Sequence, residues 1–368
     1  MDSATTSPSS RGDGRQKRAQ VDGLGLIGGS IGLALRKAGW YVTGHDLDEL
    51  VTARALMIGA LDEGGEDEHA ELVFVATPAA SVAALARKRL AAGPPHRVVT
   101  DVAGVKAAIV AAVAEPHFVG GHPMAGSEQD GLDGADADLF AGATWVLTPT
   151  PDTDHAAFAT VRSVVGMLGA EVVALPPARH DALVAMVSHV PHLTAATLMS
   201  LADDLSDEHA VLLRLAAGGF RDMTRIAAGR PTIWPDICAS NSAAILTVLD
   251  DLLTRLHEMR AVIATGDRER LLKTLEQARA ARRNLPPQGP RPESTVELRV
   301  PIPDTPGVLA QVTTLVGELG VNIHDLEIAH SSEGRRGVLV LAVSADGCEA
   351  VREALAEHGF RAAVLRLE

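Results

Sequence analysis

The sequence predicts an α/β protein: a doubly wound, mostly parallel sheet, then an all-helical region, then a small βαββαβ unit. Three observations carry this. Residues 18–177 alternate short apolar runs with amphipathic segments, strand signals vanish over 178–284, and they return in a different order over 294–368. Between the last two regions, 285–293 (LPPQGPRPE) reads as a Pro-rich linker, and 1–17 reads as a disordered tail.

Composition bounds the function. A chain of 368 residues with 46% hydrophobic and only 3% aromatic content builds two or three aliphatic cores. A net charge of −14 argues against a nucleic-acid partner, while leaving room for a small anion held by local arginines. Cys238 and Cys348 fit neither a disulfide framework nor a zinc-ligand spacing, so a reducing, cytoplasmic setting is expected. No apolar run is read as reaching the ~18–20 residues of a membrane span, so no membrane partner is expected.

In the first region the strand candidates are 19–22, 40–45, 72–76, 97–101, 118–121, 143–148 and 171–175. Helix candidates lie between them at 27–38, 48–57, 79–91, 104–113 and 153–168. The first strand runs into Gly23-Leu24-Gly25-Leu26-Ile27-Gly28, a G-x-G-x-x-G at a strand-to-helix turn. In a Rossmann-type sheet, Gly23 makes the tight turn, Gly25 lets a pyrophosphate approach, and Gly28 lets helix and strand pack closely. The next strand ends at Asp46, placed to bind both ribose hydroxyls. Asp48 follows and no Arg is adjacent, so NAD is expected over NADP. Leu26, Ile27, Thr77 and Asp101 complete the expected cofactor set. Asp22, directly before Gly23, is out of pattern: a carboxylate there points to solvent or weakens cofactor binding.

The helical region is read as 178–205, 208–217, a break near Gly218-Gly219, 221–227, 233–257 and 267–283. Its apolar faces exceed what one layer over a sheet covers, so a homodimer is expected. Three polar segments stand out: Gly120 to Glu128 around His122; His180-Asp181 with Ser188, His189 and His192; and Gly218 to Arg225, with Trp234 and Asn241 beyond. A His after a strand of a parallel sheet sits where ligands bind and is the usual proton acceptor near neutrality. His189 and His192 share a helical face at i, i+3, but no carboxylate or Cys completes a close metal set, so no metal is expected. Arg225 suits a carboxylate.

In the last region, STVELRVPIP alternates as a strand, and DTPGVLAQVTTLVGELG is a turn and an amphipathic helix stopping at Gly320. VNIHDLEIAHS and RGVLVLAV are strands, CEAVREALAEHG a helix, and FRAAVLRLE a strand, which makes a ferredoxin-like order.

The motifs GLGLIGGSIGLAL, DVAGVK, GGHPMAGSE, HDALVAMVSHVPH, GGFRDMTRIA and WPDICASN, in this order over residues 18–284, resemble the prephenate/arogenate dehydrogenase family of tyrosine biosynthesis. The resemblance implies oxidative decarboxylation with NAD. It makes His122 the base for the substrate hydroxyl and lines the nicotinamide and substrate side with Ser188, His189 and His192. It gives Arg225 to a substrate carboxylate and places Trp234 beside the substrate. The sequence departs from the family at Gly104, where D-x-x-S-x-K has a serine. Residues 294–368 resemble an ACT domain. That implies an amino-acid effector, tyrosine being the feedback inhibitor expected, held by Asp304, Gly307, Val308, Leu309, Asn322 and Ile323. Nothing in the sequence decides between prephenate and arogenate. A non-catalytic amino-acid sensor and a dehydrogenase of 2- or 3-hydroxy acids stand as alternatives.

Overall fold

A computed structural model describes residues 16–127, 129, 131–206, 215–284, 295–303, 305–330 and 336–366. Asp304, the linker, residues 1–15 of the expected tail and residues 208–214 of the expected 208–217 helix lie outside them. The chain divides into two compact units between Leu272 and Lys273.

The first unit opens with β1 (Arg18–Asp22), α1 (Leu26–Lys37), β2 (Tyr41–His45), α2 (Glu49–Met57), β3 (Glu63–Gly64) and β4 (Leu72–Val75). It continues with α3 (Ala79–Ala92), β5 (Val98–Asp101), α4 (Ala107–Val113), β6 (Phe118–Pro123), β7 (Thr144–Thr148), α5 (His155–Met167) and β8 (Glu171–Ala174). The strands form one sheet in the order β3-β2-β1-β4-β5-β6-β7-β8. All neighbours are parallel except β6 and β7. The order reverses between β1 and β4, which opens a crevice at their carboxyl ends. Both faces are covered, one by a cluster including Ile31, Leu35, Phe74 and Trp145, the other by Val73, Val82, Val99 and Ile109. Burial on both faces explains why these strands read as continuous apolar runs. β3 was not among the expected strands, because Glu63 and Gly64 carry no alternation a sequence reading can use.

Next come α6 (Pro177–Val184), a π-helical turn (Ala185–His189), α7 (Val190–Ser206), α8 (Gly218–Thr224), α9 (Trp234–Ser240), α10 (Ser242–Thr265) and α11 (Arg268–Arg283). Three expectations are corrected. The 178–205 helix is interrupted by the π turn. Gly218-Gly219 begins a helix instead of breaking one. The 233–257 helix bends by 96° at Asn241. The run Pro177–Leu205 is also long and apolar enough by composition to cross a bilayer, contrary to the sequence reading. Its His180 and Asp181 are buried, His180 beside His122 and Asp181 on the Lys106 and Ala107 amides, which ties the start of this run to the sheet region.

The second unit holds β9 (Thr295–Pro303), α12 (Val308–Glu318), β10 (Ile323–His330), β11 (Arg336–Ser344), α13 (Ala345–Glu357) and β12 (Ala363–Arg366), the expected βαββαβ order. Its antiparallel sheet runs β10-β11-β9-β12, and Leu298, Val300, Leu339 and Leu341 pack on Val312, Val316, Val351 and Leu355.

Candidate active site

The glycine loop closes off β1 as its motif requires. Gly23 has φ +88°, and a Cβ there would stand 2.5 Å from the Ala76 carbonyl oxygen and 3.1 Å from Thr77 Cγ2. Only glycine combines that backbone with that approach. No atom lies within 4 Å of a Cβ built on Gly25, so the face over the loop is open. Gly25 caps α1 without a side chain and no acidic residue occupies the first turn, so the first amides, at Leu26 and Ile27, are available to an anion. Asp46 is pinned over this loop: Leu24 N–H donates to its Oδ2 at 2.8 Å and Asp48 N–H to its Oδ1 at 3.1 Å. Each oxygen retains a lone pair for a ribose hydroxyl. The residues present therefore fit a dinucleotide.

Asp22 neither points to solvent nor stands uncompensated. It is fully buried, and Arg89 of α3 donates to it through Nε at 2.6 Å and Nη2 at 3.1 Å. Gln20 Nε2 adds a hydrogen bond at 2.7 Å, and His45 Nδ1 lies 3.1 Å away, close enough for an ion pair. Burial opposes ionisation, but His45 and Arg89 hold the carboxyl below its usual range.

Asp101 also takes a different place from the expected one. It is fully buried, and its carboxylate accepts from Lys106 Nζ, from Ala103 N–H at 3.0 Å and from Gly121 N–H at 3.1 Å. No surface remains for a cofactor, so it braces β5 against β6. Lys106 Nζ also donates to the Gly121 carbonyl at 2.7 Å, and its burial lowers its pKa.

β6 carries His122 to the edge of the sheet. His122 Nδ1 lies 2.9 Å from His180 Nε2, the two rings meeting edge to face. His180 Nδ1 lies 2.8 Å from Asp181 Oδ1. The Asp181 carboxylate also accepts Lys106 N–H and Ala107 N–H, both at 2.8 Å, at the start of α4. A Cβ built on Gly104 would stand 3.7 Å from His122 Nε2, so the departure from the serine motif lies against the ring's other nitrogen. Burial, then the Lys106 ammonium and the His180 and His189 rings, hold His122 well below the usual histidine range.

The helical region closes the site. Asn241, at the bend between α9 and α10, donates through Nδ2 to the Asp181 carbonyl at 2.9 Å and meets His189 Nδ1 at 3.2 Å. His189 is 2% exposed and its ring sits edge-on to Trp234, so it braces the wall and is not open to a ligand as expected. His192 stacks on Trp234 with centroids 3.6 Å apart. Ser188 is half-buried on the π turn, the kind of irregular turn that often marks functional positions in helices. Arg225 is exposed at the head of a 3₁₀ turn (Arg225–Ala228), and among the described residues no carboxylate pairs with it. The turn leads to Gly229, whose Cβ would meet His192 Cε1 at 3.7 Å. The sequence had singled out His180, Asp181 and Asn241 as polar without assigning them roles; burial of an adjacent His-Asp pair is the signal it lacked.

Residues 31–174 match the prephenate dehydrogenase nucleotide-binding domain, 176–277 the prephenate dehydrogenase dimerization domain, and 296–360 the ACT domain. The prephenate dehydrogenase of Bacillus subtilis is 32% identical over 339 residues, spanning 88% of this chain and 91% of that protein. The chain belongs to the prephenate dehydrogenase family. The cyclohexadienyl dehydrogenase of Zymomonas mobilis is 30% identical, covering 72% of this chain and 95% of that protein. Among solved structures, Synechocystis arogenate dehydrogenase superposes with TM-score 0.64 at 33% identity, over 72% of this chain and 98% of that one. Prephenate dehydrogenase from Aquifex aeolicus, in complex with hydroxyphenyl propionate and NAD+, superposes with TM-score 0.69 at 28% identity, over 73% and 98%.

In the ACT unit Gly307, with φ +91°, caps α12; Val308 opens the helix, and Leu309 is exposed. Asn322, whose Nδ2 lies 3.3 Å from His324 Nδ1, and Ile323 follow the other end of α12. Nine helical residues, 310–318, stand between Leu309 and the turn that leads to Asn322, roughly 14 Å at 1.5 Å per residue. One chain does not bring all the expected effector contacts together.

Proposed function

We propose that this chain is a cytoplasmic, homodimeric, NAD-dependent prephenate dehydrogenase with tyrosine as feedback inhibitor. One observation carries the catalytic reading: His122 sits at the sheet edge with Nδ1 held by His180 and Nε2 facing the space over Gly104. NAD+, when bound, accepts the hydride. His122 Nε2 takes the proton of the ring hydroxyl, Arg225 grips a substrate carboxylate, and Trp234 with His192 forms an aromatic wall. Aromatisation with loss of CO₂ drives the reaction.

The dimer is supported by the matched dimerization domain and by exposed Leu246, Leu253, Leu256 and Ile263 on α10. Feedback is supported by the ACT match, and an effector bridging two copies fits the separation along α12. A reducing compartment fits two cysteines that fall in different compact units. Arogenate is the second reading, favoured by the Synechocystis relative of that name, at 33% identity.

The test is NADH formation by the full-length protein with NAD+ and either prephenate or arogenate, with and without tyrosine. Turnover of prephenate suppressed by tyrosine is expected. Turnover of arogenate alone would change the substrate, and no turnover of either by folded protein would overturn the enzyme reading. Arg225→Ala is expected to raise KM for the substrate by about tenfold or more; a KM unchanged in steady-state kinetics would remove it from the site.

A further inference from the structure

His122, His180 and Asp181 stand in a hydrogen-bonded row that ends on backbone amides. Asp181 is nearly buried. Both its oxygens accept amide hydrogens, from Lys106 and Ala107. An ionised carboxylate can only accept, so the His180 nitrogen facing it, Nδ1, carries a hydrogen. If His180 carries a single ring hydrogen, the one on Nδ1, its Nε2 is bare and accepts from His122 Nδ1. His122 then keeps its lone pair on Nε2, the nitrogen over Gly104.

We propose that His180 and Asp181 are positioning residues that lock His122 in its Nδ1–H tautomer, aim the basic Nε2 at the substrate hydroxyl, and support the imidazolium through the Asp181 charge. When the hydroxyl proton reaches Nε2, its O–H bond breaks and the oxygen keeps the electron pair that becomes the carbonyl bond as the hydride departs. The other charged and titratable groups around the ring are Lys106, neutralised by Asp101, and His189, whose Nδ1 faces Asn241. Among the described residues, only the Asp181 arm offers a negative charge in line with His122 Nδ1. The function of the lock rests on the dehydrogenase reading; the tautomer does not.

Two measurements test it. Long-range 1H–15N ring correlations of the ¹⁵N-labelled full-length protein near neutral pH, with His122→Asn used for assignment, should show His122 protonated at Nδ1 and bare at Nε2. A proton on Nε2 would overturn the lock whatever the enzyme does. In kinetics, His180→Leu should lower kcat by about tenfold or more with little change in KM for NAD+. His180→Gln, whose Oε1 accepts from His122 and whose amide donates to Asp181, should recover most of that loss. Equal losses in the two variants, tracking equal falls in Tm, would make His180 merely structural. Should His180→Leu fail to fold, the ring spectrum of the parent protein decides. A parent inactive on both substrates would sink the proposed function while leaving the tautomer measurable.

Discussion

Replacing His122 with asparagine keeps a polar group at the sheet edge but removes the proton acceptor. A general base is worth about 10²–10⁴ in rate, so His122→Asn should lose kcat on that order while NAD+ affinity, measured by titration, stays near that of the parent. An unchanged kcat would take His122 out of the chemistry. Gly104 gives the converse experiment. Ordinary contact distance separates a built Cβ from His122 Nε2, and no left-handed backbone forbids a side chain there. Gly104→Ser should therefore fold with an unaltered melting temperature and add one hydrogen bond near the reacting hydroxyl. At about 0.5–1.5 kcal/mol for such a bond, kcat/KM should rise by roughly 2–10-fold. A fall would show that the space over Gly104 is needed for the substrate.

The end of β1 is held by a charge pair rather than by apolar packing. Asp22→Asn would leave Arg89 buried with only the partly exposed Glu66 as counter-ion. Removing one partner of a buried pair costs about 3–5 kcal/mol, and a lower urea midpoint at unchanged m-value would report it. An unchanged midpoint would mean that Glu66 alone suffices. This pair also shows where the sequence stops being legible. The glycine loop, Asp46 and His122 were readable because each belongs to a local pattern at the end of one strand. Asp22 and Arg89 lie 67 residues apart, and Asp181 meets the Lys106 amide across 75. No periodicity within one element encodes such meetings. The π turn and the bend at Asn241 were missed for the same reason: no glycine or proline marks the Asn241 bend, and its side chain is instead consumed by His189 and the Asp181 carbonyl.

Taken together, the histidines of the site give the protein a stability that depends on pH. His122, His189 and His192 are all held below their ordinary pKa, chiefly by burial. The unfolded chain binds protons at these positions from about pH 6.5 downward while the folded chain does not. Stability should therefore fall as pH drops below that value. His45 acts in the opposite sense: its pKa is raised by Asp22, so its contribution is present below the ordinary value and is lost as pH rises through the raised one. Three histidines against one predict a lower urea midpoint near pH 5.5 than near pH 7.5, with equal midpoints as the contrary result. The same depressed His122 keeps the base unprotonated in mildly acidic solution, so the acid limb of the kcat/KM profile should lie below pH 6.5.

The Asp22–Arg89 pair also sets how the cofactor loop can be inherited. A lineage that loses either residue alone passes through a protein with an unmatched charge under its nucleotide loop, so positions 22 and 89 are expected to change together or not at all. Libraries built to alter cofactor preference meet the same constraint: variation confined to the glycine loop and its flanking strand is filtered at position 22 by a helix almost seventy residues downstream, and randomising position 89 alongside it would release that filter.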